Sequence, residues 1–404
     1  MEILGNQEWI TFHYSSGVKN DLEIYVANQI KLTPRLASLP DRTKQDIQEK
    51  LVTGAGGMFR WAALQMQELK KKRVLRGRDV QSILSSLPKS LDATYERVLL
   101  QIDSDVIYEA KTALQWMSCC IRPLYLEEFV DASIINPDEE TPFDEDFRIN
   151  PFDLVDLLPG LIKVNPSPNS SHPTFIQRHY TVTLAHFSVK EYLVSSRLPK
   201  ALSYNFSINL ELAHSLVVRS SLAYIRHCLS MGSSYPHHQD SLDEFPLQLY
   251  AYSRWEMHAQ LVPDLLDQVW PCVLGTFKQP AAALMWRASS WRSRRLREES
   301  TVCHFDIPFQ GFSSPDWPTH YLLCRAIISG NESLVRFILD SGLNLTDTPL
   351  LGNPFCQPGT NQAQISLSGL RTLPILRLAL EISIVPSFGQ QREETLDNYT
   401  SVQS

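Results

Sequence analysis

The chain has 404 residues, 43% hydrophobic and 20% charged, with a formal net charge of −7. That length supports two or three domains with real cores, the composition is that of a soluble globular protein, and the acidic balance argues against a dedicated nucleic-acid binder. Seven cysteines are scattered without a Cys-x-x-Cys pair, and Cys119 and Cys120 adjoin in a helical pattern, which argues against a disulfide framework or a zinc ribbon and suits a reducing compartment.

Met1 to Phe12 lacks a basic stretch followed by an apolar core, and no apolar run approaches about 18 residues, so neither a signal peptide nor a membrane span is expected. Trp9 to Tyr14 has the pattern of a short strand. Asp21 to Ile30 and Asp41 to Val52 follow as helices, with Pro34 and Pro40 as breaks. Gly54 to Gly57 then lead into an apolar stripe of Phe59, Ala62, Ala63, Met66 and Leu69, the spacing of a packed helix. The glycines invite a phosphate-loop reading, but that loop needs Gly-Lys before Ser or Thr, and the chain contains no Gly-Lys dipeptide. A glycine turn entering a helix is the reading that fits.

Leu87 to Asp92 closes one short helix and caps the next, which runs through Tyr95 to Leu100. Ile107, Ala110, Leu114, Met117 and Cys120 mark the buried face of a further helix, Leu126 to Ile135 another, and Asn150-Pro151 supplies an N-cap and first-turn proline for Phe152 to Leu158. Gly160 to Val164 and His179 to Ala185 have strand composition. At Ala185-His186-Phe187-Ser188 the second strand turns into a helix. Ser188 and Glu191 have capping-box spacing and Phe187 and Tyr192 staple spacing, so that helix is expected to start at Val189.

Three helices followed by a hairpin is the order of a winged helix, often a DNA reader. Charge counts against that use here: from Asp105 to Leu198, 14 Asp and Glu stand against 7 Lys and Arg, and Phe152 to Leu158 carries Asp153 and Asp156 with no basic residue. The basic clusters Lys70 to Arg73 and Arg292 to Arg297 read as solvated faces or linkers, with a nuclear-localisation or nucleic-acid patch as the alternative.

An ordered series of segments now carries a family resemblance over about residues 20–260. It comprises Gly57-Met58-Phe59-Arg60-Trp61-Ala62, Leu87-Pro88-Lys89-Ser90-Leu91 with Tyr95-Glu96-Arg97, and Trp116 with Arg122-Pro123-Leu124 and Leu126-Glu127-Glu128. Ala185-His186-Phe187-Ser188-Val189-Lys190-Glu191-Tyr192-Leu193 follows, then Phe245-Pro246-Leu247, Tyr250-Ala251 and Trp255-Glu256-Met257-His258-Ala259. Together they resemble the fungal NACHT-type NTPases, relatives of animal innate immune receptors, from near the end of the nucleotide-binding domain onward. The resemblance implies a winged helix around residues 105–199, of the type named after GPI inositol-deacylase. No Gly-x-Ser-x-Gly elbow supports deacylase chemistry. In the animal receptors a winged-helix histidine in a similar context touches the phosphate of bound ADP, and His186 is the matching position. Two roles stay open for it: a structural residue bonded within its own domain, or a vestigial or in-trans contact to a nucleotide held by a NACHT NTPase domain.

From Leu202 to Trp291 the pattern is helical, with Ile208 to Val218 and Ser220 to Leu229 as separate helices and no catalytic constellation. His237-His238 and Cys303-His304 are adjacent pairs without a second pair at ligand spacing, so no metal site and no cofactor are expected. Tyr321 to Gly342 resembles one ankyrin repeat, and Leu373 to Ala379 could restart the pattern. About three repeats are needed for a continuous core, so this degenerate stub must lean on the helices before it.

The resulting expectation is a mainly α chain: a remnant of a NACHT NTPase domain (1–75), a helical linker (76–104), a winged helix with a β-hairpin (105–199), a helical domain (200–315), degenerate ankyrin repeats (316–386) and a polar tail (387–404). The function expected is that of a non-catalytic, cytoplasmic interaction and regulatory module that meets protein partners through helical and ankyrin surfaces, without membrane contact. The alternatives are a fragment of a nucleotide-switched NTPase whose phosphate loop lies upstream, and a nuclear coregulator of the ankyrin type.

Overall fold

The computed structural model describes residues 16–71, 76–167, 179–231, 244–262, 266–280, 282–283, 318–319, 322–323, 326 and 331–341. The strand read at Trp9 to Tyr14, the His237-His238 and Cys303-His304 pairs, the Arg292 to Arg297 cluster and the second ankyrin fragment lie outside them. The described chain is mainly helical with one small sheet, and it divides into two units, residues 1–107, 155–163 and 184–207 in one, and 108–154, 164–183 and 208–404 in the other.

The first unit starts with α1 (Ser16–Leu32), α2 (Pro34–Ala37), α3 (Asp41–Ala55), α4 (Phe59–Lys71), α5 (Gly77–Ser85) and α6 (Leu91–Leu99). Its core is aliphatic around one indole: Leu22, Val26, Ile47, Leu51, Leu69 and Val80 pack with Trp61. Pro34 opens α2 and Pro40 caps α3, so the two prolines act at helix starts, where a missing N–H costs nothing. Gly56 and Gly57 have φ of +52° and +89°, which stop α3 and turn the chain into α4. Gly54 still belongs to α3, and a Cβ there would lie 2.6 Å from Trp61 Cη2. The missing side chain lets the indole close over the helix and donate from Nε1 to Pro88 O at 2.9 Å.

The buried face of α4 differs from the expected stripe. Phe59 is 41% exposed, whereas Trp61, Leu64 and Gln65 are buried with Ala62, Met66 and Leu69. A hydropathy stripe does not select a glutamine, but Gln65 Nε2 donates to Thr94 Oγ1 at 3.1 Å, which removes most of the cost of burying its amide. Ser90 caps α6 as its spacing predicts, its Oγ accepting from Ala93 N at 3.1 Å. The same unit contains α10 (Phe187–Val194) and α11 (Lys200–Phe206).

Further along run α7 (Ile107–Cys119), β1 (Leu124–Tyr125), α8 (Leu126–Ile134), α9 (Pro151–Leu157), β2 (Ile162–Pro166) and β3 (Tyr180–Leu184). The sheet has the order β1-β3-β2, and β1 is antiparallel to β3 with Leu124 opposite Val182 and Tyr125 opposite Thr181. Sequence reading missed β1, since two residues show no alternation. The first hairpin strand begins at Ile162 rather than Gly160, whose φ of +75° belongs to a turn. Asn150 caps α9 as expected, its Oδ1 accepting from Phe152 N at 3.0 Å.

The second unit also holds α12 (Leu210–Ser230), α13 (Gln248–Ala259), α14 (Leu266–Phe277) and α15 (Glu332–Asp340). The two helices expected either side of Arg219 are one 21-residue helix. Nothing at Arg219 breaks a helix, and its guanidinium reaches Asp138 from within the continuous rod. One core joins these elements: Leu222, Trp255, Trp270 and Phe277 pack with Leu322, Leu323, Ala326, Leu334, Val335 and Ile338. The residues assigned to the ankyrin-like segment thus share the core of the preceding helices. Asn331 caps α15, its Oδ1 accepting from Leu334 N at 3.2 Å. Among the described residues, no helix is long and apolar enough to cross a membrane.

Candidate functional site

Two histidine centres stand out, one in each unit. In the first, His186 is the N-cap of α10, which therefore starts at Phe187, two residues before the expected Val189. The backbone N–H of Ser188 donates to His186 Nδ1 at 3.2 Å. An N–H only donates, so Nδ1 is unprotonated and the neutral ring carries its proton on Nε2. Ser188 Oγ lies 2.8 Å from the same Nδ1 and 2.8 Å from the Tyr95 hydroxyl, which fits a relay in which Tyr95 donates to Ser188 and Ser188 to His186.

The expected cap chemistry is thereby replaced. Ser188 supports the capping ring instead of capping, and the Phe187–Tyr192 staple is absent because Phe187 is 68% exposed while Tyr192 is buried against Tyr95. Phe187 instead lies against the His186 ring at 4.2 Å between centroids. Burial pushes the His186 pKa below its usual value, and the Arg60 and Lys163 charges push it the same way against Glu191. Arg60 is held in turn by Gly160, whose carbonyl accepts from its guanidinium.

In the second unit, α7, α12 and α13 bring Cys119, His214 and His258 together. One ligand atom from each lies within 4.8 Å of the other two, the one such trio among the described residues. Cys119 and His258 are buried and His214 is half-buried. His214 Nδ1 and His258 Nδ1 are 2.7 Å apart and share a proton, and His258 Nε2 lies 2.9 Å from the Tyr250 hydroxyl. Tyr250 is fixed from two sides. Its oxygen accepts from Ile121 N at 3.1 Å, and Arg122 lies over its ring at 4.9 Å. Arg122 is itself clamped by the buried Glu128 carboxylate through bonds of 2.7 and 2.8 Å, and that carboxylate also accepts from Tyr125 N at the start of α8. Burial, the neighbouring His214 and Arg254 push the His258 pKa down to about 3.

Sequence reading found His186 and missed the trio. It sought histidine and cysteine pairs adjacent in the chain, whereas Cys119, His214 and His258 come from three separate helices. Their one sequence trace is that His258 and Tyr250 fall in the segments that carried the family resemblance.

Comparison with known proteins gives a limited match among curated sequences. The chain is 30% identical over 208 residues to a protein of Monascus ruber described as azaphilone pigments biosynthesis cluster protein L, covering 51% of this chain and 42% of that relative. The chain thus spans less than half of the relative's length. No family model matches and no solved structure matches.

Proposed function

We propose that this chain is a non-catalytic interaction and regulatory module of NACHT-ankyrin type, in which residues 105–199 form a winged helix. The engagement of His186 carries the reading. Its Nδ1 is taken by Ser188 and, through Ser188, by the buried Tyr95, so the ring caps α10 and ties its start to α6, which supports a structural role for it. The order α7, β1, α8, α9, β2, β3 with strands arranged β1-β3-β2 supports the winged-helix assignment. The acidic α9, with Asp153 and Asp156, supports a protein-facing use of it. The relative's name ties it to a pigment biosynthesis cluster, and an accessory role beside the enzymes of such a cluster fits the same reading.

A second reading, a nucleotide-responsive segment of an NTPase, is favoured by one observation. Arg60 and Lys163 add positive charge around His186 at the N-terminus of α10, where an anion is stabilised. Calorimetry separates the two. The module reading expects no heat of binding for ADP or ATP with the purified chain, and a Kd in the micromolar range that is lost in His186→Ala would replace it with the second.

A further inference from the structure

We infer that Cys119, His214 and His258 form a binding site for one zinc-class metal ion that pins α7, α12 and α13 together. The inference is independent of the module reading. A borderline-soft ion takes sulfur and imidazole nitrogen together, at about 2.3 Å and 2.0–2.1 Å, so tetrahedral ligand atoms stand roughly 3.3–3.7 Å apart. The three donors here already lie within 4.8 Å of one another, and the two Nδ1 atoms at 2.7 Å must open by roughly 0.6 Å. The ion takes the place of the proton the imidazoles now share. That proton stays on the His258 ring or the His214 ring as an Nε2–H, and the Cys119 thiol loses its proton to solvent, leaving a thiolate and two neutral imidazoles.

The surroundings fit this state. A metal-ligating histidine donates its other ring N–H to an outer partner that fixes its orientation. With His258 Nδ1 on the ion, Nε2–H points at the Tyr250 oxygen 2.9 Å away, and that oxygen is already positioned by the Ile121 amide. Three protein ligands leave a fourth position for water, which has access on the side of half-buried His214. The donor set of sulfur and nitrogen, without a carboxylate, selects against Mg²⁺ and Ca²⁺.

The test uses the full chain, loaded with zinc and then desalted, with metal content measured by mass spectrometry and the site read with Co²⁺ in place of zinc. The expected result is one retained equivalent and a thiolate-to-cobalt charge-transfer band, with the band lost in Cys119→Ser and retention lost in both Cys119→Ser and His214→Asn. Tyr250→Phe should keep the band while weakening zinc binding about 10- to 100-fold, the effect of losing an outer partner. A His237→Ala/His238→Ala variant should bind as the parent does. The inference is overturned if the parent chain, with its circular dichroism intact, retains no zinc and shows no cobalt band. It is equally overturned if Cys119→Ser and His214→Asn retain as much zinc as the parent, which would leave the trio as a hydrogen-bonded core.

Discussion

His186 and His258 are both neutral histidines with depressed pKa values, yet their settings are built differently. His186 takes its partners from its own turn: Ser188 is two residues away, and the helix it caps begins with the next residue. His258 is fully buried on α13, and its partners are His214 on α12, Tyr250 two turns earlier on α13 and, through Tyr250, Ile121 just beyond α7. One ring is held by local geometry and the other by the packing of three helices. Damage to the fold should therefore reach His258 from a distance, while His186 should respond only to changes in its own corner.

The largest expected effect tests that dependence on distant support. Glu128 is fully buried and carries three bonds, two from Arg122 and one from Tyr125 N, and Arg122 in turn covers the Tyr250 ring. Glu128→Ala leaves a largely buried guanidinium without its counter-charge, and the chain should lose about 4 kcal/mol in chemical denaturation. A loss under about 1 kcal/mol would show that the clamp does not support the region around His258.

A somewhat smaller effect comes from acid. His258 titrates near 3 in the folded chain against an ordinary 6.5, so between those values the unfolded chain binds a proton that the folded chain refuses. Stability is therefore intact above about pH 6.5 and falls below it, by on the order of 3 kcal/mol for this residue by about pH 4. His186 and His227 have pKa values displaced in the same direction and add to the slope. Urea midpoints measured from pH 7 to pH 4 check this. A flat profile would mean that the His258 ring accepts a proton in place.

The contrast also decides what was legible in the sequence. Helix starts could be read where the cap is a residue type with local chemistry, as at Ser90 and Asn150. The strand-to-helix corner at His186 was legible for the same reason, although the choice of cap was wrong, because a histidine ring reached the Ser188 amide before the serine hydroxyl could serve its own turn. Periodicity failed where burial is paid for by a distant polar partner, as for Gln65 with Thr94, and where a helix simply continues, as through Arg219. The metal-ligand geometry was out of reach, since no rule of spacing links positions 119, 214 and 258 before α7, α12 and α13 have packed.

The smallest effect concerns the His186 corner itself. Ser188→Ala removes the hydroxyl that lies between the Tyr95 hydroxyl and His186 Nδ1, and leaves the phenol of a nearly buried tyrosine without this partner. The expected loss is about 1 kcal/mol, since the backbone N–H of residue 188 still caps onto the ring. The sharper readout is the His186 pKa by NMR. In the relay read from the structure, Ser188 donates to Nδ1 and so favours the neutral ring; without it the pKa should rise toward 6.5. A fall instead would mean that the proton sits on Nδ1 and that the hydroxyl accepts from it. Tyr95→Phe removes the same bond from the other end, so the double variant should cost no more than either single one by more than a few tenths of a kcal/mol. Full additivity would show that Tyr95 and His186 are not joined through Ser188, and the corner would then be two separate contacts rather than one relay.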